Sequence, residues 1–122
     1  MEKFVRMAVL ADVYGPLLTD NQRKVVNLHY GEDLSLGEIA EQFGITRAAV
    51  HDTLKRAQAS LEAYEGVLGI VASDAETERL LREVLDILGT VGASGIDDDS
   101  ARAVENARSI VRRLLRESGQ RD

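Results

Sequence analysis

The chain has 122 residues, 44% hydrophobic and 30% charged, which suits about one domain's worth of globular protein with a modest core. It has no cysteine, which excludes disulfides, thiolate metal sites and thiol nucleophiles and fits a reducing cytoplasm. The net charge of −6 is shared evenly: residues 1–70 hold seven Lys or Arg against ten Asp or Glu, and residues 71–122 hold eight against eleven. Neither half is a basic module of the kind that neutralises phosphates unaided.

Glu2, Lys3 and Arg6 interrupt the first ten residues, which spoils a secretory core. No later stretch approaches the eighteen or so apolar residues of a membrane span, so the sequence reads as cytoplasmic and untethered. Gly and Pro then delimit six helical segments. The first, about residues 2–14, places Phe4, Val5, Ala8, Val9 and Val13 at helical spacing and stops before Pro16. Thr19 to Gln22 has the spacing of a capping box, and predicts a second helix ending near Gly31. Ser35 to Glu38 repeats that chemistry before a short third helix ending near Phe43. Gly44 suits a left-handed turn, and Thr46 caps a fourth helix to about Tyr64. Ser73 to Glu76 reads as a further capping box, opening a fifth helix with Leu80, Leu81, Val84, Leu85 and Leu88 on one face. Residues 89–99 read as a loop whose Asp97-Asp98-Asp99 run favours a helix start over a metal site, the EF-hand pattern being absent. A sixth helix, about 99–117, carries Val104, Ala107, Val111 and Leu114 at 3-4-3 spacing.

The informative segment is SLGEIAEQFGITRAAVHDTLKR, Ser35 to Arg56. Ile39 and Phe43 are expected to point inward from one helix and Val50 and Leu54 to face them from the next, with Ala40 small enough for close approach. That pattern defines a helix-turn-helix within an all-α fold of about six helices. Thr46, Arg47, Ala48, His51, Asp52 and Lys55, with Arg56 nearby, are the expected exposed positions of the second helix. Of these, Thr46, Arg47, His51, Lys55 and Arg56 are the candidate nucleic-acid-binding residues. The face is only mildly basic, and Asp52 would repel a nearby phosphate.

The stretch LLTDNQRKVVNLHYGEDLSLGEIAEQFGITRAAVHDTLKRAQASL resembles region 4 of bacterial sigma factors. More narrowly, MEKFVRMAVLADVYGPLLTDNQRKVVNLHY running into DLSLGEIAEQFGITRAAVHDTLKR and LEAYEGVLGI resembles the YlxM family of small bacterial helix-turn-helix proteins, over about residues 1–70. The resemblance implies a cytoplasmic accessory protein of the signal recognition particle pathway, with no catalytic residues. The particle's RNA, its GTPase, or both are then the expected partners of the helix-turn-helix. In residues 71–122 the segment LLREVLDIL is the family's nearest equivalent, while the Gly-Ala-Ser-Gly-Ile-Asp loop and the Arg-rich end look peculiar to this chain.

His29 and His51 are far apart in sequence and away from carboxylates at ligand spacing, so no metal or cofactor is expected. Tyr14, Tyr30 and Tyr64 follow apolar helical faces and read as core rings with hydroxyls at the edge. No Gly-x-Ser-x-Gly elbow or phosphate loop occurs, which leaves an enzyme reading without an anchor. Two domains are expected, a helix-turn-helix over 1–70 and a helical pair over 71–122. The apolar stripes of the last two helices either join the first half in one core or pair with a second chain, and a homodimer through 71–117 is the favoured reading. The rival function is a dimeric transcription regulator binding duplex DNA.

Overall fold

A computed structural model describes residues 2–119, which among themselves form six α-helices and no strand. These residues divide into two compact units, the first ending at Val71 and the second beginning at Ala72. In the first unit, α1 (Lys3–Tyr14) leads through a 3₁₀ turn, Gly15–Leu17, to α2 (Asp20–Val26). The chain continues through a π-helical turn, Asn27–Gly31, to α3 (Leu36–Phe43) and α4 (Arg47–Leu68). The second unit holds most of α5 (Ile70–Gly92) and all of α6 (Asp98–Gly119).

The helix starts follow from side-chain capping. Thr19 Oγ1 accepts from the Gln22 amide while Gln22 Oε1 accepts from the Thr19 amide, and Ser35 and Glu38 make the same reciprocal pair at 3.1 and 2.9 Å. The Ser35 amide, joined by its hydroxyl, holds the Glu38 carboxyl below its usual range. Asp97 Oδ1 accepts from the Ser100 amide at 2.7 Å and so caps α6.

The core of the first unit is built along α4, whose Val50, Leu54, Ala57 and Leu61 recur at 4-3-4 spacing and are all buried. Met7, Leu10 and Tyr14 of α1, Val25 and Val26 of α2, and Ile39 and Ala40 of α3 pack with them in one cluster. The π-helical turn carries an extra residue per turn, and it is tied to α4 where Gln58 Nε2 donates to the Tyr30 hydroxyl at 2.6 Å. Tyr64 donates to the Leu17 carbonyl, and the Arg6 guanidinium grips Glu62 with two bonds of 2.7 and 2.9 Å.

Three boundaries differ from the sequence reading. Helix α4 continues beyond Tyr64 through Gly66 to Leu68 and ends where Gly69 turns left-handed, φ 63°. Helix α5 then starts at Ile70, so Ser73 lies inside it and caps nothing. The reason is tertiary: the Ile70 amide donates to the buried Tyr14 hydroxyl at 3.1 Å, and the Val71 amide donates to Glu65 Oε1 at 3.0 Å. Two amides that a local cap would have satisfied are held by groups 56 and 6 residues away. Burial, reinforced by donation to Glu65 at 2.6 Å, pushes the Tyr14 hydroxyl above the usual phenol range. Finally, α5 runs through Gly89 to Gly92, shortening the expected loop to 93–97.

Truncating the buried Ile39 to Ala is expected to cost about 2–5 kcal/mol in urea unfolding, with Ser35→Ala costing about 1 kcal/mol through the lost cap. The hydrogen bond from Arg6 holds the Glu62 carboxyl below its ordinary value of about 4.3. A depressed carboxyl stabilises the fold above its unfolded pKa, and that contribution is lost as pH falls through the folded one. The stability gap between wild type and Glu62→Gln should therefore be full at pH 7 and close below about pH 4. Tyr14→Phe should speed amide exchange at Ile70 more than at residues in mid-α5.

Candidate nucleic-acid interface

Helices α3 and α4 meet across a three-residue turn whose geometry is set by Gly44. Its φ of 66° places it in the left-handed region. Its amide bonds the Glu41 carbonyl at 3.3 Å, and the next amide, of Ile45, bonds the Ala40 carbonyl at 3.0 Å. This is the paired closure of a Schellman motif, and it aims the start of α4 away from the end of α3. Thr46 then caps α4 by accepting from the Ala49 amide at 3.0 Å. Ile39, Ala40, Val50 and Leu54 are buried between the two helices, as their spacing requires. Phe43 is not: it is 37% exposed, and with Lys24, Asn27, Leu28 and Gln42 it lines a shallow groove beside α2. The inward assignment of Phe43 is thereby corrected. The Schellman closure pulls Ile45 back over Ala40, and the last turn of α3 carries the Phe43 ring outward.

Thr46, Arg47, Ala48, His51, Asp52, Lys55 and Arg56 are all exposed. Arg47, His51 and Lys55 recur every four residues and so share an exposed stripe about 12 Å long, about a quarter turn round α4 from its buried stripe. Arg47 leans over the start of α3, where Gly37 leaves room: a Cβ there would stand 3.7 Å from Arg47 Nε. No ion pair engages Arg47 or Lys55 among the described residues. Arg56 differs, because its Nε lies 3.0 Å from Asp52 Oδ2, four residues earlier. Asp52 is thus spent on a neighbour, and its expected repulsion of phosphate is partly neutralised at the expense of Arg56. Thr46 is committed through its oxygen lone pair to the cap, which leaves its hydroxyl hydrogen for an outside acceptor.

A further cation, Lys24, was not picked out by the helix-turn-helix pattern. It sits in the last turn of α2 and lines the groove that α2 forms beside Phe43. The surroundings are otherwise acidic: α3 carries exposed Glu38 and Glu41 and no basic residue, and Glu32 and Asp33 precede it.

His29 lies apart from this face. Its Nδ1 is 2.9 Å from the Leu34 carbonyl and its ring packs edge-on against Tyr30 and Phe4, with centroids 4.8 and 5.7 Å away. That is a structural role. Among the described residues no three His, Cys, Asp or Glu side chains are arranged to hold a metal ion, and no helix is long and apolar enough to cross a membrane.

Two capped helices closed by a left-handed glycine, with the second presenting its first turns to solvent, define a helix-turn-helix protein. Comparison with known proteins narrows this. Residues 1–92 match the family model described as "Putative helix-turn-helix protein, YlxM / p13 like", and the chain belongs to that family, UPF0122. A UPF0122 protein of Desulforamulus reducens is 43% identical over 116 residues, spanning 94% of this chain and 95% of its own. Relatives from Bacillus mycoides and Symbiobacterium thermophilum are 46% and 44% identical over 88 residues, 72% of this chain and 80% and 82% of theirs. The family is one of helix-turn-helix proteins rather than of enzymes. The first alignment, spanning 94% of this chain, also runs beyond α5.

If Asp52 masks Arg56, Asp52→Ala should strengthen nucleic-acid binding several-fold at low salt and steepen its salt dependence by about one charge. Unchanged affinity would place Arg56 outside the contact.

Proposed function

We propose that the protein is a non-enzymatic accessory factor of the signal recognition particle pathway, and that the Arg47–His51–Lys55 stripe of α4 contacts the particle's RNA, at a site shared with or next to its GTPase. The observation that carries the nucleic-acid contact is the stripe itself: Arg47 and Lys55, exposed and without ion-pair partners among the described residues, on a rigid helix with one side buried. The pathway is what the resemblance to the YlxM family implies.

Charge favours RNA within a particle over free duplex DNA. In a DNA-bound helix-turn-helix the first helix of the pair crosses the phosphate backbone. Here that helix is α3, which offers Glu38 and Glu41 and no cation, so docking on a duplex would bring carboxylates against phosphates. A short stripe of two or three cations suits a few phosphates of a folded RNA, with protein supplying the rest of the contact. The dimeric DNA regulator is the outcome to exclude.

Binding is measured by salt titration against three labelled targets: the particle's RNA, that RNA with its GTPase bound, and a random DNA duplex. The expected result is preference for a particle target, with a slope of about −2, from about three cations at about 0.7 each. Arg47→Ala with Lys55→Ala should weaken this binding about tenfold or more and flatten the slope. Duplex binding as tight as RNA binding, with a slope of several counterions, would replace this reading by the transcription regulator.

A further inference from the structure

The second unit leaves a large apolar face uncovered. Helices α5 and α6 run antiparallel: a Cβ on Gly92 would stand 3.6 Å from Val104, while Thr77 and Leu81 share a groove with Leu114 and Ser118. Their seam uses Leu81, Leu85 and Leu88 on one side and Val104, Ala107 and Val111 on the other, of which Val111 is buried and the rest are half-buried. Beside the seam, Leu80, Val84, Ile87 and Val91 of α5 and Ile110 and Leu114 of α6 are all more than 40% exposed.

These exposed residues form one surface. Four of the six precede a seam residue by one position: Leu80 before Leu81, Val84 before Leu85, Ile87 before Leu88, Ile110 before Val111; Val91 and Leu114 continue the two stripes four residues on. In both helices the exposed stripe is therefore turned about 100° from the seam in the same rotational sense. Two antiparallel helices so turned present their stripes on the same side of the hairpin. The exposed apolar residues run about 17 Å along α5, from Leu80 to Val91, and about 6 Å along α6, from Ile110 to Leu114.

The rims of this face carry opposite charge. Along the outer edge of the α5 stripe lie Glu76 and Glu83, joined through Arg79 at 2.7 and 3.4 Å with one negative charge in excess. Along the outer edge of the α6 stripe lie Arg113 and Arg116, which have no ion-pair partner among the described residues. Both rims point away from the seam within the hairpin, so neither can satisfy the other in one chain.

We propose that a second copy of the chain covers this face, with α5 of each copy on α6 of the other and the two-fold axis running along the helices. In that arrangement all four neighbouring helices are antiparallel, and the pairing between copies has the same level as the seam: residue numbers facing each other sum to about 195, from the Leu81–Leu114 and Gly92–Val104 neighbours. Glu83 then stands level with the partner's Arg113, and Leu80, Val84 and Ile87 meet the partner's Ile110 and Leu114. Laying α5 on α5 instead would set the acidic rim of one copy along the acidic rim of the other, and basic along basic, which repel. The charge pattern selects the first pairing, and it is independent of what the first unit binds.

The test is sedimentation equilibrium of the full chain with helix content followed by circular dichroism. Wild type should be a dimer at micromolar concentration, and Ile87→Asp, at a position outside the seam, should be a monomer of unchanged helicity. Glu83→Arg and Arg113→Glu should each weaken dimerisation about tenfold or more, since both symmetry-related contacts turn repulsive. Combining the two in one chain, or mixing the two single variants, should restore it. A monomeric wild type or a dimeric Ile87→Asp would overturn the interface. Failure of the combined variant to recover would overturn the pairing of α5 with α6.

Discussion

Burial of one side of α4 is the constraint on which the first unit depends. Val50, Leu54, Ala57 and Leu61 form a continuous apolar edge, and α1, α2 and α3 each pack against it because each is too short to bury its own apolar side alone. Fixing that edge inside fixes the opposite side of the helix outside. Arg47, His51 and Lys55 lie about a quarter turn round from that edge, on the exposed part of the helix, and their four-residue spacing aligns them. The same edge explains the small residues at the crowded contacts: Ala57 faces the cluster with no exposed surface, and Ala40 lets α3 approach α4.

The end of α4 is governed by a second tertiary contact. The Tyr14 hydroxyl gives its proton to Glu65 and takes the Ile70 amide, while Glu65 takes the Val71 amide. One phenol and one carboxylate thus organise the passage from α4 to α5 around the left-handed Gly69. Arg47 and Lys55 of the exposed stripe are free of ion pairs among the described residues. Only Arg56 is drawn into a pair, with Asp52, and the effective positive charge of the face is smaller than a count of its cations suggests.

Local chemistry was legible in the sequence wherever a helix end is satisfied by its own neighbours. Thr19, Ser35, Gly44 and Thr46 act where the spacing of side chain and amide placed them, and the helix-turn-helix could be read from those four residues and the apolar positions between them. Ser73 misled because α5 starts three residues earlier, where Tyr14 and Glu65 hold the Ile70 and Val71 amides, contacts that the pattern around Ser73 does not contain. Phe43 misled because helical periodicity marks a side, and the last turn of a short helix can hold that side beyond the edge of its neighbour. Lys24 was invisible for a related reason: its nearness to Phe43 comes from the packing of α2 against α4, far apart in sequence. The glycines at 66 and 89 looked like stops, yet each sits inside a helix whose neighbouring turns are strong enough to carry it.

The exposed stripe of α4 is proposed as the surface that meets nucleic acid. Backbone amide chemical shifts of the full chain, recorded as the particle's RNA is added, test it most directly. The account predicts that the largest changes fall on Thr46, Arg47, His51 and Lys55, with Lys24 at the margin, while α6 stays unchanged. Changes concentrated on α5 and α6, with the first turns of α4 silent, would contradict it.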